Sequence, residues 1–109
     1  MTAADDLGGF HVETVERDGH AELRLVGELD MDAADRLAQA LRPVFDHGVP
    51  KIVLNLSELR FIDSSGLRQL FLALRHQRSH GGDVVLHAPS AATLRVLDIV
   101  GMTTLFTIT

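Results

Sequence analysis

Cysteine, tryptophan and tyrosine are absent from this 109-residue chain. Without cysteine there is neither a disulfide framework nor a thiolate metal site. Without Trp and Tyr, base-stacking platforms have only five Phe to draw on. Positive charge is scarce as well: ten Lys and Arg stand against fifteen Asp and Glu, for a formal charge of −5. The clustered Lys and Arg of a nucleic-acid footprint are therefore not expected. Met1 to Gly9 has no basic start and no apolar run, so it does not read as a signal peptide. Residues 1–9 are expected to form a flexible tail. No stretch approaches the length of a membrane span. These absences lead to the expectation of a cytoplasmic protein that works through protein partners, with no nucleic acid and no membrane insertion. What is present suits a folded core: 46% hydrophobic and 23% charged residues. The length fits one domain that needs no metal or cross-link to be stable.

The hydrophobic period changes along the chain. Phe10, Val12, Thr14 and Val15 alternate weakly within residues 10–17, and Ala21, Leu23 and Leu25 alternate clearly within 20–27. Asp18-Gly19 between them is a turn dipeptide that tolerates positive φ, so a hairpin is expected. From Asp30 the period becomes helical, with Ala34, Leu37, Ala38, Leu41, Val44 and Phe45 on one stripe. Pro43 removes a backbone donor and predicts a kinked or irregular last turn. Residues 51–56, Lys-Ile-Val-Leu-Asn-Leu, read as a buried strand. A second helix is expected from about Asp63 to His80, with Leu67, Leu70, Phe71 and Leu74 inward. Residues 83–87 suit another buried strand, with His87 in a structural role. Ser90 starts a third helix that Gly101 ends, and Leu105 to Ile108 suit a last edge strand. The order is ββαβαβα(β). It predicts an α/β domain over residues 10–109 with a mixed, mostly parallel sheet, an opening hairpin and helices packed against the sheet.

In such an arrangement the loops from strand to following helix gather along one edge, where functional groups collect. Here they are Gly27-Glu28-Leu29-Asp30-Met31-Asp32, Phe61-Ile62-Asp63-Ser64-Ser65-Gly66 and Ala88-Pro89-Ser90. The edge is acidic and rich in hydroxyls. In the second loop Asp63 or Ser64 is placed to cap the helix. Ser65 then falls in the first turn, where backbone donors and the helix dipole favour an anion. A phosphate there would gain about 0.3–1 kcal/mol from the dipole. It would also bring roughly −1.5 to −2 charges to an acidic surface, a change felt more by a partner than by the fold. By itself, Asp-Ser-Ser-Gly before an apolar helix is a capping signal.

Residues 52–67, Ile-Val-Leu-Asn-Leu-Ser-Glu-Leu-Arg-Phe-Ile-Asp-Ser-Ser-Gly-Leu, closely resemble the STAS-domain anti-sigma factor antagonists, as does Gly27-Glu28-Leu29-Asp30 upstream. The resemblance continues through Gly81-Gly82-Asp83 and from Ser90 through Leu97 to Met102, and covers about residues 10–108. It implies that Ser65 is the phosphoacceptor, with Ser64 as second choice. It implies that the unphosphorylated form binds an anti-sigma factor, itself a serine kinase with an ATP-binding domain, and so frees a sigma factor for transcription. Phosphorylation blocks that binding, and a phosphoserine phosphatase restores it. Asp30, Asp63, Ser64, Gly66, Leu67, Arg68 and Leu72 are the partner-binding residues that follow. Arg68 departs from the small residue some members carry there, and its charge would partly compensate a phosphate.

Other constellations point elsewhere with less force. Arg68, Leu72, Arg75 and Ser79 lie on the exposed side of the second helix by spacing, with Leu72 the apolar contact among them. His76 and His80 share a face at i, i+4, but without a third ligand they make no metal site. Ser65 as an enzymatic nucleophile, with His87 or His11 as base, lacks the Gly-x-Ser-x-Gly elbow and a pocket-sized chain. The chain is therefore read as a kinase and phosphatase substrate with no catalytic residues and no cofactor of its own. The alternative within the same family is a non-switching subunit of a transporter-associated (for example lipid-transport) or stress-sensing complex.

Overall fold

The computed structural model describes residues 9–109. The expected flexible tail at 1–9 lies outside them except for Gly9, whose carbonyl accepts from Glu28 N at 3.0 Å. Five strands and three helices follow in the expected order. They are β1 (Phe10–Arg17), β2 (His20–Leu29), α1 (Met31–Asp46), β3 (Lys51–Ile62), α2 (Ser64–Ser79), β4 (Asp83–His87), α3 (Ala91–Ile99) and β5 (Thr107–Ile108). The sheet runs β1-β2-β3-β4-β5, with β1 antiparallel to β2 and the remaining pairs parallel. Asp18-Gly19 forms the hairpin turn, and Arg17 pairs with His20 across it. Gly19 supplies the positive φ (+76°).

β2 alternates strictly, burying Ala21, Leu23, Leu25, Gly27 and Leu29. Ala21, Leu23, Leu25 and Leu29 join Ile52, Leu54 and Leu56 of β3 and Val84 and Leu86 of β4 in one core. The helices supply Leu37, Leu41 and Val44 from α1, Leu67, Leu70 and Leu74 from α2, and Leu97 from α3. Neighbouring parallel strands linked by right-handed crossovers in one direction place successive helices on one face of a sheet. The other face carries no helix among the described residues and presents Glu13, Val15, Arg17, Glu22 and Arg24. Arg24 there bonds Glu13 at 2.7 Å and also pairs with Glu58. Its guanidinium holds the Glu13 carboxyl below the usual carboxylate range.

Several expectations need correction. β3 does not stop at Leu56 but continues to Ile62 through two bulges that break its alternation. One falls between the pairs Arg24–Asn55 and Val26–Glu58, the other between Gly27–Leu59 and Glu28–Phe61. Each inserts an extra β3 residue and resets which side chains face inward. Ser57 N donates to Asn55 Oδ1 at 3.0 Å at the first bulge. Phe71 is not on the inward stripe of α2; it is 38% exposed. Ala73 and Gln77 are buried on that helix with Leu70 and Leu74. Pro43 leaves α1 helical through Asp46. The last strand is only Thr107–Ile108, and His87 is exposed, with Nδ1 2.9 Å from Thr109 Oγ1.

Candidate functional site

β2 and β3 end side by side, with Leu29 opposite Ile62. Each is followed at once by an aspartate that caps a helix. Asp30 Oδ1 accepts from Ala33 N at 3.0 Å at the start of α1. Asp63 Oδ1 accepts from Ser65 N at 2.9 Å and from Gly66 N at 3.1 Å at the start of α2. The cap of α2 is therefore Asp63 rather than Ser64. Asp63 N also donates to Leu29 O at 3.2 Å, which joins the two loops.

The glycines explain how the loops come so close. A Cβ on Gly66 would lie 2.7 Å from both Leu29 O and Leu29 Cγ, and 2.8 Å from Ile62 Cγ1. The first turn of α2 thus rests directly on the end of β2. At Gly27, φ is +109° and a Cβ would stand 1.8 Å from Gly9 O. Only glycine fits where the chain enters β1 across β2. Gly27-Glu28-Leu29-Asp30 and Asp63-Ser64-Ser65-Gly66 are one structural unit, 33 residues apart in register where Leu29 meets Ile62.

On this unit Ser64 is the first residue of α2 and exposed, and Ser65 is second and half-buried. Among the described residues neither hydroxyl has a hydrogen-bond partner. The backbone N–H groups of Ser65 and Gly66, which the sequence offered to an anion, are occupied by Asp63. They are therefore not free to hold an anion. Gly66 and Leu67 are buried, so they position the turn and present no side chain to a partner. Arg68 is exposed and bonds no other described residue. Leu72 is 37% exposed, one turn further along the stripe from Arg68. Two large apolar side chains beside the caps escape a reading of the sequence: Met31 at 68% and Phe61 at 50% exposure. Phe61 was legible in principle, since with Ile62 inward its neighbour must point out. The bulges hid that phase.

The other candidates disperse. His76 and His80 lie at the far end of α2 with stacked rings, centroids 4.4 Å apart. His76 also stacks on Phe45 at 3.9 Å. Burial, and secondarily His80, push the His76 imidazole below its usual value against the pull of Asp46. No helix among the described residues is long and apolar enough to cross a membrane.

The family described as "Mlab, STAS domain" matches residues 12–107, nearly the whole sheet and all three helices. The chain belongs to the STAS domain family. An anti-sigma F factor antagonist of Lysinibacillus sphaericus is 32% identical over 94 residues, which cover 85% of this chain and 80% of that protein. Among solved structures, the anti-sigma factor antagonist SpoIIAA in its unphosphorylated form superposes with a TM-score of 0.77 at 27% identity, covering 92% of this chain and 87% of that one. The phosphorylated form of SpoIIAA from Bacillus gives 0.70 at 27% identity, covering 92% and 90%. This STAS chain is thus similar in fold to one antagonist in both phosphorylation states.

Proposed function

We propose that this STAS domain is an anti-sigma factor antagonist switched by phosphorylation of Ser65. The unphosphorylated chain binds an anti-sigma factor that is also its serine kinase, and the sigma factor is released. Transfer of the ATP γ-phosphoryl group to Ser65 Oγ abolishes that binding, and a phosphoserine phosphatase restores it. One observation carries the reading: the second serine of Asp-Ser-Ser-Gly stands in the first turn of α2, its hydroxyl without a partner among the described residues, on the edge that also holds Asp30. The charge balance supports a surface switch. The dipole of α2 offsets only about 0.3–1 kcal/mol of the cost of an added anion. The Asp63 carboxylate, bonded to Ser65 N at 2.9 Å, repels that anion. Phosphorylation therefore alters what a partner meets between Asp30, Ser64, Arg68 and Leu72, while the core beneath Gly66 and Leu67 stays in place.

Arg68 favours a second reading, a non-switching STAS subunit of a transporter-associated or stress-sensing complex. Its cation, three residues from Ser65 on the same face, compensates part of the phosphate. The test is incubation with candidate anti-sigma kinases and ATP, followed by peptide mapping and binding measurements. Phosphate on Ser65, retained binding by Ser65→Ala and lost binding by Ser65→Asp are expected. If no ATP-binding partner is captured and Ser65→Asp alters no interaction, the second reading stands.

A further inference from the structure

The outer edge of β1 carries the next inference. β1 ends the sheet, and among the described residues no strand pairs with its outer side. Arg17 and His20 flank a two-residue turn and form a mutually hydrogen-bonded pair, so the odd-numbered residues of β1 bond to β2. The even-numbered residues Val12, Thr14 and Glu16 turn their N–H and C=O outward. Phe10 does the same, and its outward carbonyl is already taken by Arg36 Nη1 at 3.1 Å. The free template is the stretch from Val12 to Glu16. It contains neither proline nor bulge, two of the devices that blunt an edge.

The geometry points to a second copy of this chain as the occupant, with β1 pairing antiparallel to β1 about a two-fold axis at Val15. This register matches the outward backbone groups, because Thr14 and Glu16 of one copy exchange hydrogen bonds with Glu16 and Thr14 of the other. It also suits the side chains on the helix-free face, where Glu13, already paired with Arg24 and His11 of its own chain, gains a further cation. Val15, 48% exposed, meets Val15 of the second copy. Glu13 meets Arg17 of the second copy on either side of the axis, and these are non-hydrogen-bonded pairs in which side chains approach most closely. Arg17 makes no ion pair with another described residue of its own chain. Axes elsewhere on the strand are poorer: one at Glu13 puts that carboxylate against itself, and one at Thr14 sets Arg17 against His11. The product is a continuous ten-stranded sheet with the Asp63-Ser64-Ser65-Gly66 turns outside the joint.

Sedimentation velocity on the full chain over a concentration series tests this. The expected result is a reversible species of twice the 11.9 kDa chain mass. Thr14→Pro removes an outward N–H and no β1–β2 bond, so it should yield a folded monomer by circular dichroism. Two charge variants test the register even if Thr14→Pro fails to fold. Arg17→Glu alone and Glu13→Lys alone each place like charges across the axis and should be monomeric, whereas their mixture restores both ion pairs and should dimerise. A parent chain that stays monomeric at the highest soluble concentration overturns the inference. So does a mixture that stays monomeric, or a folded Thr14→Pro variant that still dimerises.

Discussion

The two ends of α2 meet the sheet by opposite means. At its C-terminal end nearly every polar group serves the fold. Gln77, 4% exposed, donates from Nε2 to Val49 O at 2.9 Å and Pro50 O at 3.3 Å. Its backbone carbonyl accepts from Gly82 N at 2.7 Å, and a Cβ on Gly82 would lie 2.4 Å from Pro50 O. His76 is sandwiched between Phe45 and His80. At the N-terminal end the close contact is made by Gly66 and by the backbone N–H of Asp63, which donates to Leu29 O, while the Asp63 carboxylate caps the helix. Among the described residues, both serine hydroxyls and the Arg68 guanidinium have no partner. One end of the helix is an anchor, and the other is held in place with its chemistry left free.

That contrast predicts a graded series of effects. Gly27→Ala should be the most damaging, because it adds backbone strain of about 1–3 kcal/mol to overpacking against Gly9 O of about 1–3 kcal/mol. Urea titration should show a large fall in midpoint or no cooperative fold. Gln77→Leu should cost about 1–3 kcal/mol by stranding the Val49 carbonyl, while leaving the affinity of the folded fraction for its partner unchanged. At the other end, Asp63→Ala should cost about 0.5–2 kcal/mol as a lost cap, and Ser65→Ala should stay within about 0.5 kcal/mol of the parent. A Ser65→Ala variant as unstable as Gln77→Leu would erase the distinction between the two ends.

The smallest expected effect is on pH dependence. The folded state lowers the proton affinity of His76, so the unfolded chain binds more protons over the intervening range. The stabilising contribution is present above the ordinary histidine value and is lost as pH falls through it toward the depressed one. Thermal midpoints should therefore drop between about pH 7.5 and about pH 5.5, and drop less in His76→Phe, which keeps a stacking ring without the titration. An equal drop in both proteins would show that the anchor end carries no such linkage.

The sequence made most of the layout legible because local and tertiary preferences agree in it. Asp18-Gly19, the strict alternation of β2 and the stripe of α1 each point to one structure. Three kinds of feature stayed hidden. Where a bulge adds a residue, alternation loses phase, and this concealed the second half of β3 and the outward turn of Phe61. Where two residue types share a propensity, as Asp63 and Ser64 do for the cap, only tertiary contact chooses. Here the bond from Asp63 N to Leu29 O fixes Asp63 as the extended residue that precedes the helix. Gln77 was missed for a third reason. A long amide on a helix reads as surface until the carbonyls it satisfies have been located.

The two bulges of β3 also build slack into the path from Asn55 to Ser65. Three steps take the buried phase from Leu56 to Leu59, and three more from Leu59 to Ile62, each one residue more than plain alternation needs. Deleting Ser57 or Arg60 would therefore remove a bulge and restore alternation, with Ile62 still inward beneath Gly66. The serine turn would keep its seat although the strand beneath it had been shortened.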